Sequence, residues 1–231
     1  MDQVRSEYDL FPVYHLSSVL PYDPFASSFY MLSRYEEYLP FRKDLHGRFG
    51  ASESLAFRKG FLQKAVVNVW ASEVIEILKN YYPGLSLKQT NYKYIPTVDV
   101  DLAYSYLHKG LVRTLGGYAK SLIQGDYAMF RQRTRVLMGR EKDPFDSFDS
   151  LNSLHAEYGL EAVFFFLFAG YGPYDKSLPV YNSGFRRLIQ RQADVARVGI
   201  HPSYASQSDV KALRAEITGL SQTLNMEITL S

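Results

Sequence analysis

An α/β fold with parallel strands is what this sequence predicts, on three observations. Strand-like and helix-like stretches alternate through its second half, the order that crossover connections between parallel strands require. One strand candidate, "EAVFFFLF", is continuously apolar, as a strand covered on both faces must be. Helix candidates open on capping residues and close on Gly or Pro.

Taken in order, residues 1–90 carry helix-like pieces separated by polar loops, and are expected to form a smaller mixed α/β region. In "DPFASSFYMLSRYEEYL", Asp23 is placed to cap a helix with Pro24 at its first position. Phe25, Phe29, Leu32 and Tyr35 follow at helical spacing. A charged, Gly-containing section precedes "VNVWASEVIEILKNYYPG", an amphipathic helix expected to turn Val69, Ile75 and Leu78 inward and to stop at Pro83-Gly84. "LSLKQTNYK" is a polar connector and the expected domain boundary.

Residues 91–231 then alternate. "YIPTVDVD" reads as a strand, and Leu111 to Gly139 as helical. "DPFDSFDSLNSLHAEYG" offers Asp143 as helix cap, Pro144 in the first turn and Gly159 as terminator, with Phe145, Phe148, Leu151 and Leu154 along one side. "EAVFFFLF" is the second strand, "SGFRRLIQRQADVAR" a helix and "VGIHPSY" a third strand. A helix opened by Ser208 and a strand-like "MEITLS" close the chain. Ending on a strand leaves a parallel sheet with a bare edge, so the sequence is expected to be a fragment of a longer protein.

Composition narrows the function classes. A formal net charge of +2 without a dense Lys/Arg run argues against a nucleic-acid partner. With no cysteine, disulfides, thiol catalysis and thiolate metal sites are excluded. The longest apolar run is far too short to span a bilayer, which takes about 20 residues. "MDQVRSEYDLFPV" lacks a basic-then-apolar leader, which makes the cytoplasm the default expectation. The 19 Tyr and 15 Phe suit sugar-stacking surfaces as well as cores, with core packing the commoner use.

The chemistry concentrates at strand ends, where parallel α/β folds build their sites. Asp99 and Asp101 close the first strand, on one face because side chains alternate. Two like charges on one face repel and are costly to desolvate. His201 occupies the equivalent place after "VGI". Carboxylate and imidazole at one end of one sheet begin a divalent metal site, and a dication offsets the carboxylate repulsion. The bland alternatives are a solvated pair and a turn histidine before Pro202.

"TVDVD" followed by "VGIHPSYAS" resembles the two leading motifs of the polysaccharide deacetylase family, the NodB-type carbohydrate esterases. The stretches "DPFASSFYMLSRYEEYLPFRKDLHGRF" and "ASESLAFRKGFLQKAVVNVWA" are similar to the N-terminal domain of unknown function in a Bacteroidota-type branch, so the resemblance spans the chain. It implies an incomplete (β/α) barrel, of which residues 91–231 would hold about the first four strands. It implies Asp99 as catalytic base, with Asp101 and His201 as ligands of a divalent metal of the zinc type. The implied reaction is hydrolysis of an acetyl group, a carbon–nitrogen bond in an N-acetylated sugar, on an acetylated polysaccharide or oligosaccharide: the metal acidifies a water, a carboxylate takes the proton, the metal stabilises the oxyanion, and an acid protonates the departing amine, leaving amino sugar and acetate.

The sequence departs from that pattern at Ala205, where the second histidine is expected and no metal can be ligated. Ser203, Tyr204, Ser206 and Asp209 are nearby oxygen donors, although Asp209 also suits a helix cap. No later acid histidine follows, so this chain alone is expected to be inactive. Tyr204 and His108 are candidate substrate contacts, His108 with a plain loop role as its rival. His155 reads as packing or surface, and His46 with Asp44 and Arg48 as loop-ordering. Arg113, Arg131, Arg133 and Arg135 suit a solvated helix face better than an anion site. A carbohydrate-binding or scaffold protein is the alternative function. A glycoside hydrolase is disfavoured, because Asp99 and Asp101 stand too close to flank a sugar.

Overall fold

The structure, a computed structural model, describes residues 8–15, 17–88 and 91–231. Residues 1–7, where a leader would begin, and Gln89 and Thr90 of the connector lie outside them. The chain forms two compact units, Met1–Thr90 and Asn91–Ser231. No described helix is long and apolar enough to cross a membrane.

Among the described residues, the first unit is built on three α-helices, α1 (Pro24–Leu32), α2 (Leu55–Arg58) and α3 (Val66–Tyr81). Asp23 caps α1, its carboxylate accepting from the Phe25 and Ala26 amides at 2.9 Å. The apolar spacing on α1 does not mark its buried face: Phe25, Phe29, Leu32 and Tyr35 are all exposed, and Ser27 is the residue sealed from solvent. Its hydroxyl donates to the Leu10 carbonyl at 3.0 Å, bringing the backbones close where a large side chain would hold them apart. The expected inward face of α3 is likewise rotated. Val69 and Leu78 are exposed, Ile75 is half-buried, and Val66 and Trp70 face the core. Trp70 sets the phase, because it is the largest apolar surface on the helix to remove from water. It packs with Leu10, Tyr22, Ala56, Phe61 and Val66. The buried Tyr22 hydroxyl donates to Glu73, and burial first, then that bond, raises its pKa far above the ordinary tyrosine value. The mixed α/β texture expected here reduces, among the described residues, to two isolated antiparallel bridges, Pro12 with Tyr22 and Lys43 with Phe49.

The second unit contains a three-stranded parallel sheet in the order β1-β2-β3, with β1 (Thr97–Val100), β2 (Val163–Leu167) and β3 (Arg197–His201). Register aligns Asp99 with Phe165 and Phe165 with Gly199, then Leu167 with His201. The connections are α4 (Leu111–Ile123), α5 (Tyr127–Leu137) and α6 (Phe148–Glu157) after β1, α7 (Ser183–Ala193) after β2, and α8 (Val210–Leu224) after β3. The α/β class stands. The expected helical stretch before Gly139 is two helices, broken where Gly125 takes a positive φ and Asp126 caps α5 through the Met129 amide.

Alternation sorts the strands cleanly. Val100, Phe164, Phe166, Val198 and Ile200 join one core with Phe148 of α6, Phe185, Leu188 and Ile189 of α7, and Leu220 of α8. Asp99, Phe165 and Gly199 occupy the opposite face by their odd positions. Along α6, Phe148 is buried, Leu151 half-buried and Leu154 exposed, and Phe145 lies before the helix, exposed. The final "MEITLS" forms no assigned strand, yet the Leu230 carbonyl accepts the Ile200 amide at 2.9 Å, so it runs beside β3.

One capping expectation changes: Ser147, not Asp143, occupies the N-cap position of α6. Of the two residues read at the start of α8, Asp209 is the cap, accepting from Lys211 and Ala212. The arginines divide. Arg133 is buried, its guanidinium 5.0 Å from the Tyr106 ring centroid and 5.4 Å from that of Tyr118. Gly117 makes the room: a Cβ there would stand 1.8 Å from Arg133 Nη1. Arg113 donates to the carbonyls of Ser177 and Lys176 at 2.9 and 3.1 Å. Neither belongs to a solvated face.

Candidate functional site

Parallel register brings the ends of β1, β2 and β3 to one side of the second unit. There, Asp101 and His201 meet: His201 Nε2 lies 3.4 Å from Asp101 Oδ1. The cleft around them has a volume of about 650 Å³ and is walled by Tyr174, Asp175 and Lys176 from the β2–α7 loop and by Ser203, Tyr204 and Gln207 from the β3–α8 loop. Asp101 is largely exposed and His201 one-third exposed.

The other ring nitrogen fixes the tautomer. His201 Nδ1 lies 3.0 Å from the Pro202 carbonyl, which can only accept, so Nδ1 carries a proton. In the neutral ring Nε2 then presents a lone pair to the Asp101 carboxylate. Two lone-pair atoms facing each other need a proton or a cation between them. Two atoms that each lie about 2.0–2.1 Å from a tetrahedral zinc stand about 3.3–3.4 Å apart. The observed separation of 3.4 Å fits a shared ion, and a backbone carbonyl orienting the far ring nitrogen is the usual support of a metal-binding histidine. Among the described residues no group of three or more His, Asp and Glu could hold a metal ion.

Asp99 lies one pleat back on β1, exposed and in register with Phe165. Ala205 is exposed in a 3₁₀ turn, Ala205–Gln207. Tyr204 is at the cleft wall, stacked on Tyr174 with ring centroids 4.2 Å apart. His108 is elsewhere: it lines a separate cavity of about 470 Å³ with Tyr104, Gly184 and Arg187. His155 is buried beside Phe164, as a packing residue would be. In the first unit, Asp44 orders its loop through the His46 and Arg48 amides at 2.8 Å.

The supports of the cleft are residues that sequence patterns do not single out for this role. Glu216 of α8 accepts from the Ser203 amide at 3.2 Å and from the Ser203 hydroxyl, holding the turn after His201. Asp175 accepts the Tyr204 amide at 3.1 and 3.2 Å on its two oxygens, tying the two loops together. Asp143 takes the amides of Ser105, Tyr106 and Leu107 and so fixes the segment that follows Asp101. Its sequence signal, an aspartate before a proline, is indistinguishable from a helix start.

His108 yields a pH prediction. It sits at φ +60 with its ring over Gly184. Burial first, then the Arg187 charge, holds its pKa below the ordinary 6.5, with Asp143 acting the other way. A histidine depressed in the folded state is protonated first in the unfolded chain as pH falls. Its contribution is therefore intact above about pH 6.5 and is lost progressively below it. His108→Asn, which tolerates a positive φ, is expected to reduce the loss of unfolding free energy between about pH 7 and about pH 5. An unchanged slope in denaturant titrations would assign the acid sensitivity to other groups.

A model of a family of unknown function (DUF7033) matches residues 2–83. No curated protein and no solved structure matches the chain. The matched segment belongs to the first unit and leaves Asp101 and His201 outside it.

Proposed function

We propose that residues 91–231 are part of a deacetylase-type (β/α) barrel, and that the protein hydrolyses an acetyl group from an acetylated carbohydrate at a divalent metal site. The observation that carries this is the Asp101–His201 pair at 3.4 Å, with the imidazole oriented by Pro202. Sequential strand order with the helical core on one face supports the barrel, since doubly wound sheets instead reverse their order at a switch point. The resemblance of "TVDVD" and "VGIHPSYAS" supplies the reaction class.

Asp101 Oδ1 and His201 Nε2 would hold the ion. When bound, a zinc-type ion supplies Lewis acidity toward water and carbonyl oxygen. Asp99, near the end of β1 and two residues before Asp101, would take the proton of the attacking water on a carboxylate oxygen. Pro202 keeps the His201 ring in the tautomer that leaves Nε2 free to bind, and Glu216 holds the turn that carries Pro202 and Ser203.

Zinc titration of the full chain tests the proposal without requiring turnover. One equivalent is expected to bind, and Asp101→Ala and His201→Ala to weaken it by at least about a hundredfold. Wild-type affinity in both variants would falsify the metal site. Ala205 and the two-ligand limit among the described residues favour a second function, carbohydrate binding without catalysis. Oligosaccharide uptake indifferent to zinc and to both substitutions, with no acetate released, identifies that case.

A further inference from the structure

We infer that α4, with the outer side of α5, docks on an anionic lipid surface and lies flat in its headgroup region. This goes beyond the reaction proposed above and does not depend on it. An ordinary surface helix hides its apolar side and shows its polar one; α4 is turned the other way. Inward it sends Arg113, Gly117, Tyr118 and Ser121. Arg113 bonds the Ser177 and Lys176 carbonyls, and Gly117 lies against the Arg133 guanidinium. The Tyr118 hydroxyl shares a hydrogen bond with Thr134 at 3.0 Å, and Ser121 is sealed from solvent.

Outward stand Leu111, Val112, Leu115, Ala119, Leu122 and Ile123. At roughly 100° per residue these six fall within an arc of about 120°. Leu111, Val112 and Ile123 are 82%, 85% and 86% exposed. Among the described residues of α4 that face solvent, Lys120 alone is charged, and it lies beyond one edge of the arc. Single apolar residues on a surface need no explanation, but a continuous stripe marks an interaction site.

Charge names the occupant. Residues 111–142 hold seven Lys and Arg against Asp126 and Glu141, a formal +5 in a chain whose total is +2, so the other residues carry −3. Lys120, Arg131, Arg135, Arg140 and Lys142 are exposed, and Arg135 has a loose partner in Glu141 at 4.0 Å. The two helices run antiparallel, with the Tyr118 and Phe130 ring centroids 4.8 Å apart at the seam. Outward from that seam, α5 presents Tyr127 and Arg131, both exposed, on the side where α4 presents Leu111, Leu115 and Leu122.

A second copy is the poorer occupant, because pairing two such faces brings like charge against like charge. Anionic headgroups meet the same charge with attraction, about fivefold in binding for each Lys or Arg near the surface. The stripe enters the acyl boundary, Lys120 reaches back to the phosphates, and the Tyr127 ring suits headgroup depth. With 13 residues, α4 is long enough to lie in that plane and too short to cross it.

Co-sedimentation of the full chain with vesicles tests this, using phosphatidylcholine alone and phosphatidylcholine with about 30% phosphatidylglycerol. The mixed vesicles are expected to bind, and pure phosphatidylcholine to bind at least about tenfold more weakly. The doubly substituted Val112→Glu, Leu115→Glu chain changes exposed positions only, keeps its circular dichroism, and is expected to lose at least about tenfold on mixed vesicles. Lys120→Gln and Arg131→Gln are each expected to lose about fivefold there. No sedimentation of wild type with mixed vesicles overturns the inference, as does wild-type affinity in the Glu-substituted chain. Equal binding to both vesicles overturns the anionic preference. A concentration-dependent dimer in analytical ultracentrifugation, dissolved by the same two Glu substitutions, overturns the lipid surface and gives the face to a second copy.

Discussion

Asp143→Ala is expected to destabilise the second unit by about 3–5 kcal/mol, the size of effect that follows when a buried, fully bonded charge is removed. Asp143 is 3% exposed, and its carboxylate accepts from Ser105, Tyr106, Leu107 and Phe145 at 2.7 to 3.0 Å. Truncation leaves these amides without their acceptor, in a place where water reaches them poorly. It also removes the anion that opposes the downward shift of Lys109, whose pKa is depressed by burial first and by Arg113 next. Asp143→Asn keeps one acceptor oxygen but turns an amide group toward N–H donors, so about half the loss is expected. Denaturant unfolding followed by circular dichroism measures the change. Hydrogen exchange at Ser105, Tyr106 and Leu107 locates it. A loss under about 1 kcal/mol for the Ala variant would mean that the segment after Asp101 is held by other contacts.

Gly199→Ala is expected to cost about 2 kcal/mol and to free the end of the chain from β3. An added Cβ would lie 2.6 Å from the Phe165 ring and 2.8 Å from the Leu230 carbonyl oxygen. Alanine regains up to about 1 kcal/mol of the entropy that glycine loses in a strand, so the sign of the measured change tests whether the clash dominates. The Phe165 ring can turn aside, but the Leu230 oxygen is backbone and moves only with its segment. Loss of protection at the Ile200 amide, which donates to that oxygen, is therefore the specific signature. A stabilised variant with Ile200 still protected would show that both neighbours yield at little cost.

The tripeptide Asp-Pro-Phe occurs twice and shows how far sequence patterns carry. At Asp23 the helix follows at once and the carboxylate caps it. At Asp143 the carboxylate keeps the local bond to the Phe145 amide, but a turn follows in place of a helix, and the amides of Ser105 to Leu107, 36 to 38 positions away, also bond the carboxylate. The tertiary partners of that carboxylate lie in no local window. The same reason hides Glu216, Asp175 and Tyr174, whose roles exist only once separate loops meet. The strands were legible because alternation and continuous apolarity are local properties, and parallel order then carried Asp101 and His201 to one end. Helix phase was less legible. On α1 the conspicuous aromatics face solvent and Ser27 faces the core, since close backbone approach favoured a small residue over a greasy one.

The chain's lone tryptophan, Trp70, is 1% exposed in the core of the first unit. Its emission, excited beyond the tyrosine band, is consequently a private optical channel for that core. Melts followed by this signal and by tyrosine ellipticity, side by side, distinguish damage to the helical module from damage to the sheet without any label being introduced.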